Sequence, residues 1–239
     1  MVRVALVTGA TSGIGRATAM RLSREGWRVV INGVNTEDAG RALSREIPGS
    51  FYVDADVADP DAVDALIQSV VDRCGRIDLV VNSAGIARRI PHEDIESIDP
   101  TFWQRIIDVN LTGTWNVCRS AAVHMRAEGG QIVNVASIAG LLPAGSSIPY
   151  SVSKAGVVHL TKLLAKALGP HIIVNAVAPG FIDTTLVADA VELRSKVEAE
   201  APLRRIGTPD DVASVISAIL SMRYVTGAVI PVDGGFSLV

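Results

Sequence analysis

Seven short apolar runs recur along this chain with helical stretches between them, and that alternation restricts what it can fold into. The runs are 3–7, 29–31, 51–53, 77–81, 132–135, 172–177 and 228–232, dominated by Val, Ile, Leu and Ala. Runs this short, with few polar interruptions, mark strands covered on both faces, and strands separated by helices build parallel sheets. The expected fold is therefore α/β, a doubly wound parallel sheet with helices on both faces. No repeat, linker or low-complexity segment divides the 239 residues, so 1–239 reads as a single domain long enough to bury a sizeable core.

Composition narrows the function. A net charge of −3, with no Lys/Arg run, offers no footprint for nucleic acid. The uncharged stretch 129–153 is interrupted by Asn134, several serines, Pro143 and Pro149, which argues against a membrane span. Arg3 leads directly into a short strand, which does not read as a secretion signal, and the expected location is cytoplasmic. Cys74 and Cys118 lack metal-ligand or disulfide spacing, and His92, His124, His159 and His171 are scattered, so no metal site is expected.

Two segments carry chemistry. The first strand runs into Thr8-Gly9-Ala10-Thr11-Ser12-Gly13-Ile14-Gly15 and then a helical pattern. A glycine turn at a helix N-terminus lets backbone N–H groups and the helix dipole approach a pyrophosphate. The spacing is G-x3-G-x-G, different from the G-x-G-x-x-G fingerprint of many dinucleotide sites. The second segment holds Tyr150 and Lys154, one helical turn apart and on one helix face. An ammonium about 4 Å from a phenol would favour the phenolate by roughly 4 kcal/mol at an effective dielectric of about 20, enough to bring the phenol near neutrality. Ser137 follows the apolar run 132–136, from where its hydroxyl can reach the oxygen that Tyr150 protonates.

With these segments in order, the chain resembles the short-chain dehydrogenase/reductase family, compact single-domain branch, from end to end. The matching elements are Thr8 to Gly15, Asn82-Ser83-Ala84-Gly85, Asn110, Ser137, Tyr150 to Lys154, and Pro179-Gly180 with Thr184. Ser83 departs from the family's usual asparagine. The resemblance implies a Rossmann-like fold and hydride transfer between a nicotinamide dinucleotide and a carbonyl or alcohol. It also implies Ser137, Tyr150, Lys154 and Asn110 as catalytic residues, Asn110 or its locally opened helix holding a water that links Lys154 to solvent. Lys154 and Tyr150 would touch the nicotinamide ribose. Ser12, Gly13, Ile14 and Gly15 would hold phosphate, Asp56 and Val57 adenine, and Asn82, Ala84, Gly85, Pro179, Gly180, Ile182 and Thr184 the nicotinamide side. Residues 184–207 would form a substrate lid. A tetramer is implied, built on the helices near Thr101 and Tyr150 and on 232–239.

Cofactor choice turns on Asn32-Gly33-Val34-Asn35. An NAD site usually offers an acidic group near Gly33, and there is none; arginines that pair with a 2′-phosphate are absent at Ser12 and Val34. Asn32, Asn35 and Thr36 as neutral donors, with Arg16 as a helper, lean the expectation to NADP(H) over NAD(H). Ile86, Ile138, Ala139, Leu141, Leu142, Phe181, Leu186 and Val187 are candidates for an apolar substrate pocket, with Arg88 as an anionic anchor. The overall resemblance is to 3-oxoacyl-thioester reductases. A sugar, polyol, hydroxy-acid or steroid-like alcohol dehydrogenase is the alternative activity, and a non-catalytic dinucleotide sensor is the alternative of another class.

Overall fold

The structure, a computed structural model, describes residues 2–184 and 191–239. Each of the seven apolar runs forms a strand: β1 (Val4–Thr8), β2 (Arg28–Gly33), β3 (Phe51–Asp54), β4 (Leu79–Asn82), β5 (Gly130–Val135), β6 (Ile172–Pro179) and β7 (Val229–Val232). They make one sheet in the order β3-β2-β1-β4-β5-β6-β7, every pair parallel. Alternation along each strand supplies both faces. Val4 and Leu6 of β1 join one core with residues of α3 (Pro60–Cys74) and α5 (Gly113–Met125). Ala5 and Val7 join a second core with α1 (Gly13–Arg24) and α8 (Pro209–Ile219).

Helix ends follow local chemistry. Asp59 caps α3 by accepting from the backbone of Asp61 and Ala62, Pro60 opens the helix, and Gly75 closes it in the left-handed region at φ 75°. The helical pattern from about Thr101 to Arg126 is not one α-helix. It divides into α4 (Pro100–Ile107), a π-turn at Asp108–Thr112, and α5. In the π-turn Asn110 becomes fully buried, and its carbonyl accepts the Thr114 hydroxyl at 2.8 Å.

Beneath the carboxyl ends of β4 and β5 lies a buried polar chain. The Asn82 amide donates to Asn134 Oδ1 at 2.9 Å, the Asn134 amide to Thr161 Oγ1 at 2.9 Å, and the Thr161 hydroxyl to the Val157 carbonyl at 2.8 Å. This ties two strands to α6 (Ile148–Leu168), the helix that carries Tyr150 and Lys154. Asn134→Ala would remove two buried hydrogen bonds, each worth about 0.5–1.5 kcal/mol net, while Thr161 keeps the Val157 carbonyl and the Asn82 amide keeps Cys118 Sγ at 3.2 Å. Urea denaturation is therefore expected to show a loss of about 1–3 kcal/mol with an unchanged m-value.

After β6 the chain enters the stretch proposed as a lid. Ile182 bridges Gly207, and α7 (Val191–Glu200) packs Val197, with Ala201 just beyond its end, against Phe181. Leu186 and Val187 lie outside the described residues.

Candidate active site

β1 ends at Thr8 and α1 begins at Gly13, with Ser12 at the helix N-cap and no side-chain capping bond. The turn is packed too closely for side chains. Gly9 has φ 59°, and a Cβ there would sit 2.7 Å from Ala84 Cα; a Cβ on Gly15 would sit 2.3 Å from the Gly9 carbonyl oxygen. Thr8 Oγ1 accepts from the backbone N–H groups of Ser83 and Ala84 at 3.1 Å each, which fixes the neighbouring turn after β4.

These turns open onto a cleft of about 300 Å3 at the carboxyl edge of the sheet. Gly9, Ser12, Gly13, Ile14 and Gly15 form one wall; Asn32, Gly33, Asp56 and Val57 form the far end. Ala84 and Gly85 face Pro179, Gly180, Ile182 and Thr184, and Ser137, Tyr150 and Lys154 complete the near end. The exposed N-terminal end of α1 and the glycine cradle fit a dinucleotide pyrophosphate, because a Cβ at either glycine would collide with backbone.

At the near end, Ser137 is buried, two residues beyond β5, and its hydroxyl and the Tyr150 phenol both line the cleft, close enough for the serine to favour the phenolate. It also accepts from the Ala139 N–H at 3.1 Å and lies 3.4 Å from the Pro179 carbonyl. Lys154 is buried, and its ammonium donates to the Val135 carbonyl at 2.9 Å, 5.8 Å from the centre of the Tyr150 ring. The expectation that this ammonium brings the phenol near neutrality is corrected. Burial pushes the Tyr150 phenol up, opposed only by the Ser137 hydroxyl, and burial brings Lys154 down to about 8. Desolvation of both groups outweighs their attraction, because neither charge is met by enough solvent or counter-charge.

Two predicted residues do not line the cleft. Asn82 turns into the buried polar chain beneath it. Asn110 stands behind the wall, its amide donating to the Ile86 carbonyl at 3.0 Å and Ser153 Oγ at 3.1 Å, and its Oδ1 accepting from Ile86 N–H at 2.9 Å. Both amide protons are engaged, so Asn110 positions Ile86, which lines the cleft. Of the other pocket candidates, Ile138, Ala139 and Phe181 are buried in packing and Leu141 is exposed. Arg88 does not point to the cleft: it lies 3.9 Å over the Phe102 ring and 3.7 Å from Asp99.

The far end differs most from expectation. The Asn32 amide donates to the carbonyls of Gly33, Val53 and Ala55, so it is not a free phosphate donor. Arg16 pairs with Glu46 at 2.7 Å, and Asp56 pairs with Arg105 at 3.0 Å. An acidic group does approach Gly33: Asp54, brought opposite it by the β2–β3 register, accepts from the Asn35 N–H at 3.0 Å. Thr11, Thr36 and Arg105 also line the cleft. Thr11 could have been found, since it lies inside the glycine turn; Asp54 could not, because its proximity depends on strand register.

Comparison with known proteins agrees with this geometry. A family profile described as Enoyl-(Acyl carrier protein) reductase matches residues 9–237. Ketoacyl reductase 2 of the granaticin polyketide synthase of Streptomyces violaceoruber is 43% identical, over 98% of this chain and 96% of its own. Cis-4-hydroxycyclohexanecarboxylate dehydrogenase of Sinomonas cyclohexanicum is 41% identical, over 99% and 97%. A solved short-chain dehydrogenase/reductase from Burkholderia xenovorans superposes with a TM-score of 0.93 at 36% identity, covering 100% of this chain and 99% of that one. With its parallel sheet, glycine cradle and paired hydroxyls, the chain belongs to the short-chain dehydrogenase/reductase family, oxidoreductases that interconvert ketones and secondary alcohols with a nicotinamide dinucleotide.

Proposed function

We propose that this protein reduces a 3-oxoacyl thioester to the 3-hydroxyacyl thioester, with Ser137, Tyr150 and Lys154 handling the proton. The observation that carries the reading is the Ser137–Tyr150 hydroxyl pair at the cleft wall, backed by the buried Lys154. A nicotinamide dinucleotide held by the glycine cradle would supply the hydride for the carbonyl carbon. Ser137 and Tyr150 orient the carbonyl oxygen, and Tyr150 gives its proton to that oxygen as negative charge develops. A phenol raised by burial stays protonated at neutral pH, which suits an acid facing an alkoxide far more basic than itself. Lys154, held on the Val135 carbonyl, supplies positive charge to the phenolate left behind, and Asn110 keeps Ile86 and the wall in place.

Gly9 to Gly15, Ala84, Gly85 and Pro179 to Thr184 are proposed to hold the dinucleotide. The lean to NADP(H) has lost its support from Asn32 and Arg16, whose polar groups are already engaged. Residues 184–207 are proposed as the substrate lid, with α7 as their described helix. A tetramer is proposed through the helical stretch from near Thr101 to the end of α5, through α6 and through 232–239, where Trp115, Val123, Val152, Leu163 and Leu238 expose apolar surface. None of the helices among the described residues is long and apolar enough to cross a membrane, and a cytoplasmic location is proposed.

The likeness to a ketoacyl reductase favours the thioester, and the likeness to a hydroxycyclohexanecarboxylate dehydrogenase favours a cyclic hydroxy acid as second substrate class. Initial rates with an acetoacetyl thioester and NADH or NADPH are expected to show turnover. Turnover of 4-oxocyclohexanecarboxylate with NADH or NADPH, or of 4-hydroxycyclohexanecarboxylate with NAD+ or NADP+, and none with the thioester would replace the first substrate by the second.

A further inference from the structure

Gly33 closes β2 without a side chain, and Thr36 takes up the vacant room. A Cβ at Gly33 would lie 2.3 Å from Thr36 Oγ1 and 3.0 Å from Thr11 Cγ2. The Thr36 hydroxyl therefore stands on the cleft wall where a residue-33 side chain would read the adenosine ribose. Its polarity is set from behind. The Tyr52 phenol donates to Asp54 Oδ1 at 2.9 Å, and Thr36 Oγ1 lies 3.3 Å from the same phenol oxygen. A phenol has one proton to give. With that proton on Asp54, Tyr52 can only accept from Thr36, and Thr36 turns its lone pairs toward the cleft.

The arrangement is held in place on both sides. Asp54 Oδ1 also accepts from the Asn35 N–H at 3.0 Å, and the Tyr52 ring lies against α2 (Glu37–Glu46) at Gly40, where a Cβ would be 2.1 Å from the ring. A ribose 2′-hydroxyl can donate to Thr36. A 2′-phosphate, mostly dianionic at neutral pH, has no proton for Thr36 and brings negative charge to the end of β2, where Asp54 stands opposite Gly33 behind the cleft wall, while Arg16 and Arg41 are engaged by Glu46 and Glu37.

We infer that Asp54, Tyr52 and Thr36 form a hydrogen-bond relay that makes Thr36 an acceptor and selects NAD(H) over NADP(H). The inference rests on the dinucleotide-dependent oxidoreductase reading and reverses the preference expected from the sequence.

Calorimetric titration with NADH, NADPH and two probes lacking nicotinamide, ADP-ribose and 2′-phospho-ADP-ribose, tests it without any turnover. The parent protein is expected to bind the unphosphorylated member of each pair at least about tenfold more tightly, the discrimination expected of one lost hydrogen bond together with like-charge repulsion. Tyr52→Phe keeps the ring on Gly40 and frees the Thr36 proton, so the ratio should fall toward one, chiefly by tighter NADPH. Thr36→Val should lose NADH affinity with no gain for NADPH, which covers the case in which Tyr52→Phe melts at a lower temperature than the parent. Equal or tighter NADPH binding by the parent overturns the selection while leaving the oxidoreductase reading intact, and so does a ratio unmoved in both variants. Binding of neither dinucleotide overturns both.

Discussion

Tyr150→Phe is expected to lower turnover by about 10²–10⁴ while leaving dinucleotide affinity within about a factor of two. The phenol lines the near end of the cleft beside Ser137, and burial keeps it protonated at neutral pH. Phenylalanine keeps the ring in α6 and removes only the hydroxyl, so the fold and the glycine cradle should be undisturbed. Removing an interaction made in the transition state lowers kcat and kcat/KM together, with little change in ground-state binding. Single-turnover rates with the acetoacetyl thioester, alongside a dinucleotide titration, separate the two effects. A variant that retains parental turnover would remove Tyr150 from the mechanism, and one that loses dinucleotide affinity to the same degree would make it a binding residue.

Lys154→Met is expected to inactivate the enzyme and stabilise the fold. Burial lowers the lysine from 10.5 to about 8, which corresponds to a penalty of roughly 3 kcal/mol on its charged form. Methionine matches the length of the stem without the charge, but leaves the Val135 carbonyl without the 2.9 Å ammonium contact, at a cost of about 1 kcal/mol. The net expectation is about 2 kcal/mol of added stability at pH 7, and a melting temperature several degrees higher. The pH dependence has a defined sign. Below about pH 8 lysine is charged in both native and unfolded states, so the penalty is fully present. Between about 8 and 10.5 the unfolded chain binds more protons than the native one, so the lysine's contribution to stability rises with pH. The gap between parent and Met variant should therefore shrink across that window. Denaturation curves at pH 7 and pH 10 measure it, and a Met variant less stable than the parent at pH 7 would show that the ammonium is a net stabilising group.

Both variants are expected to lose activity, and only Lys154→Met is expected to gain stability. A buried ammonium is costly wherever the fold could place a hydrophobic residue, and its retention beside Tyr150 is what a proton-handling role requires. The Asn82–Asn134–Thr161 chain serves the same end from below, since it fixes α6 against β4 and β5 and so holds Tyr150 and Lys154 at the cleft wall.

Much of the architecture is legible in the sequence, because it depends on local pattern. Apolar runs of a few residues, separated by helical stretches, can bury both faces only as parallel strands between helix layers, and β1 to β7 appear where those runs lie. The glycine turn is legible for a similar reason: Gly9, Gly13 and Gly15 fall between an apolar run and a helical pattern within one local segment. Tyr150 and Lys154 share a helix face by spacing alone. What the tertiary structure decided are the quantities that depend on neighbours distant in sequence. The direction of the Tyr150 and Lys154 shifts follows from how deeply the surrounding protein excludes water, and sequence spacing carries no information about dielectric. Asn32 looked like a free donor until the β2–β3 pairing placed the Val53 and Ala55 carbonyls against its amide. Asp54 looked remote from the ribose end until the same register set it opposite Gly33 and beside Asn35. Spacing within one element is fixed by the chain itself, whereas the partner across a strand pair is chosen by packing of the whole sheet.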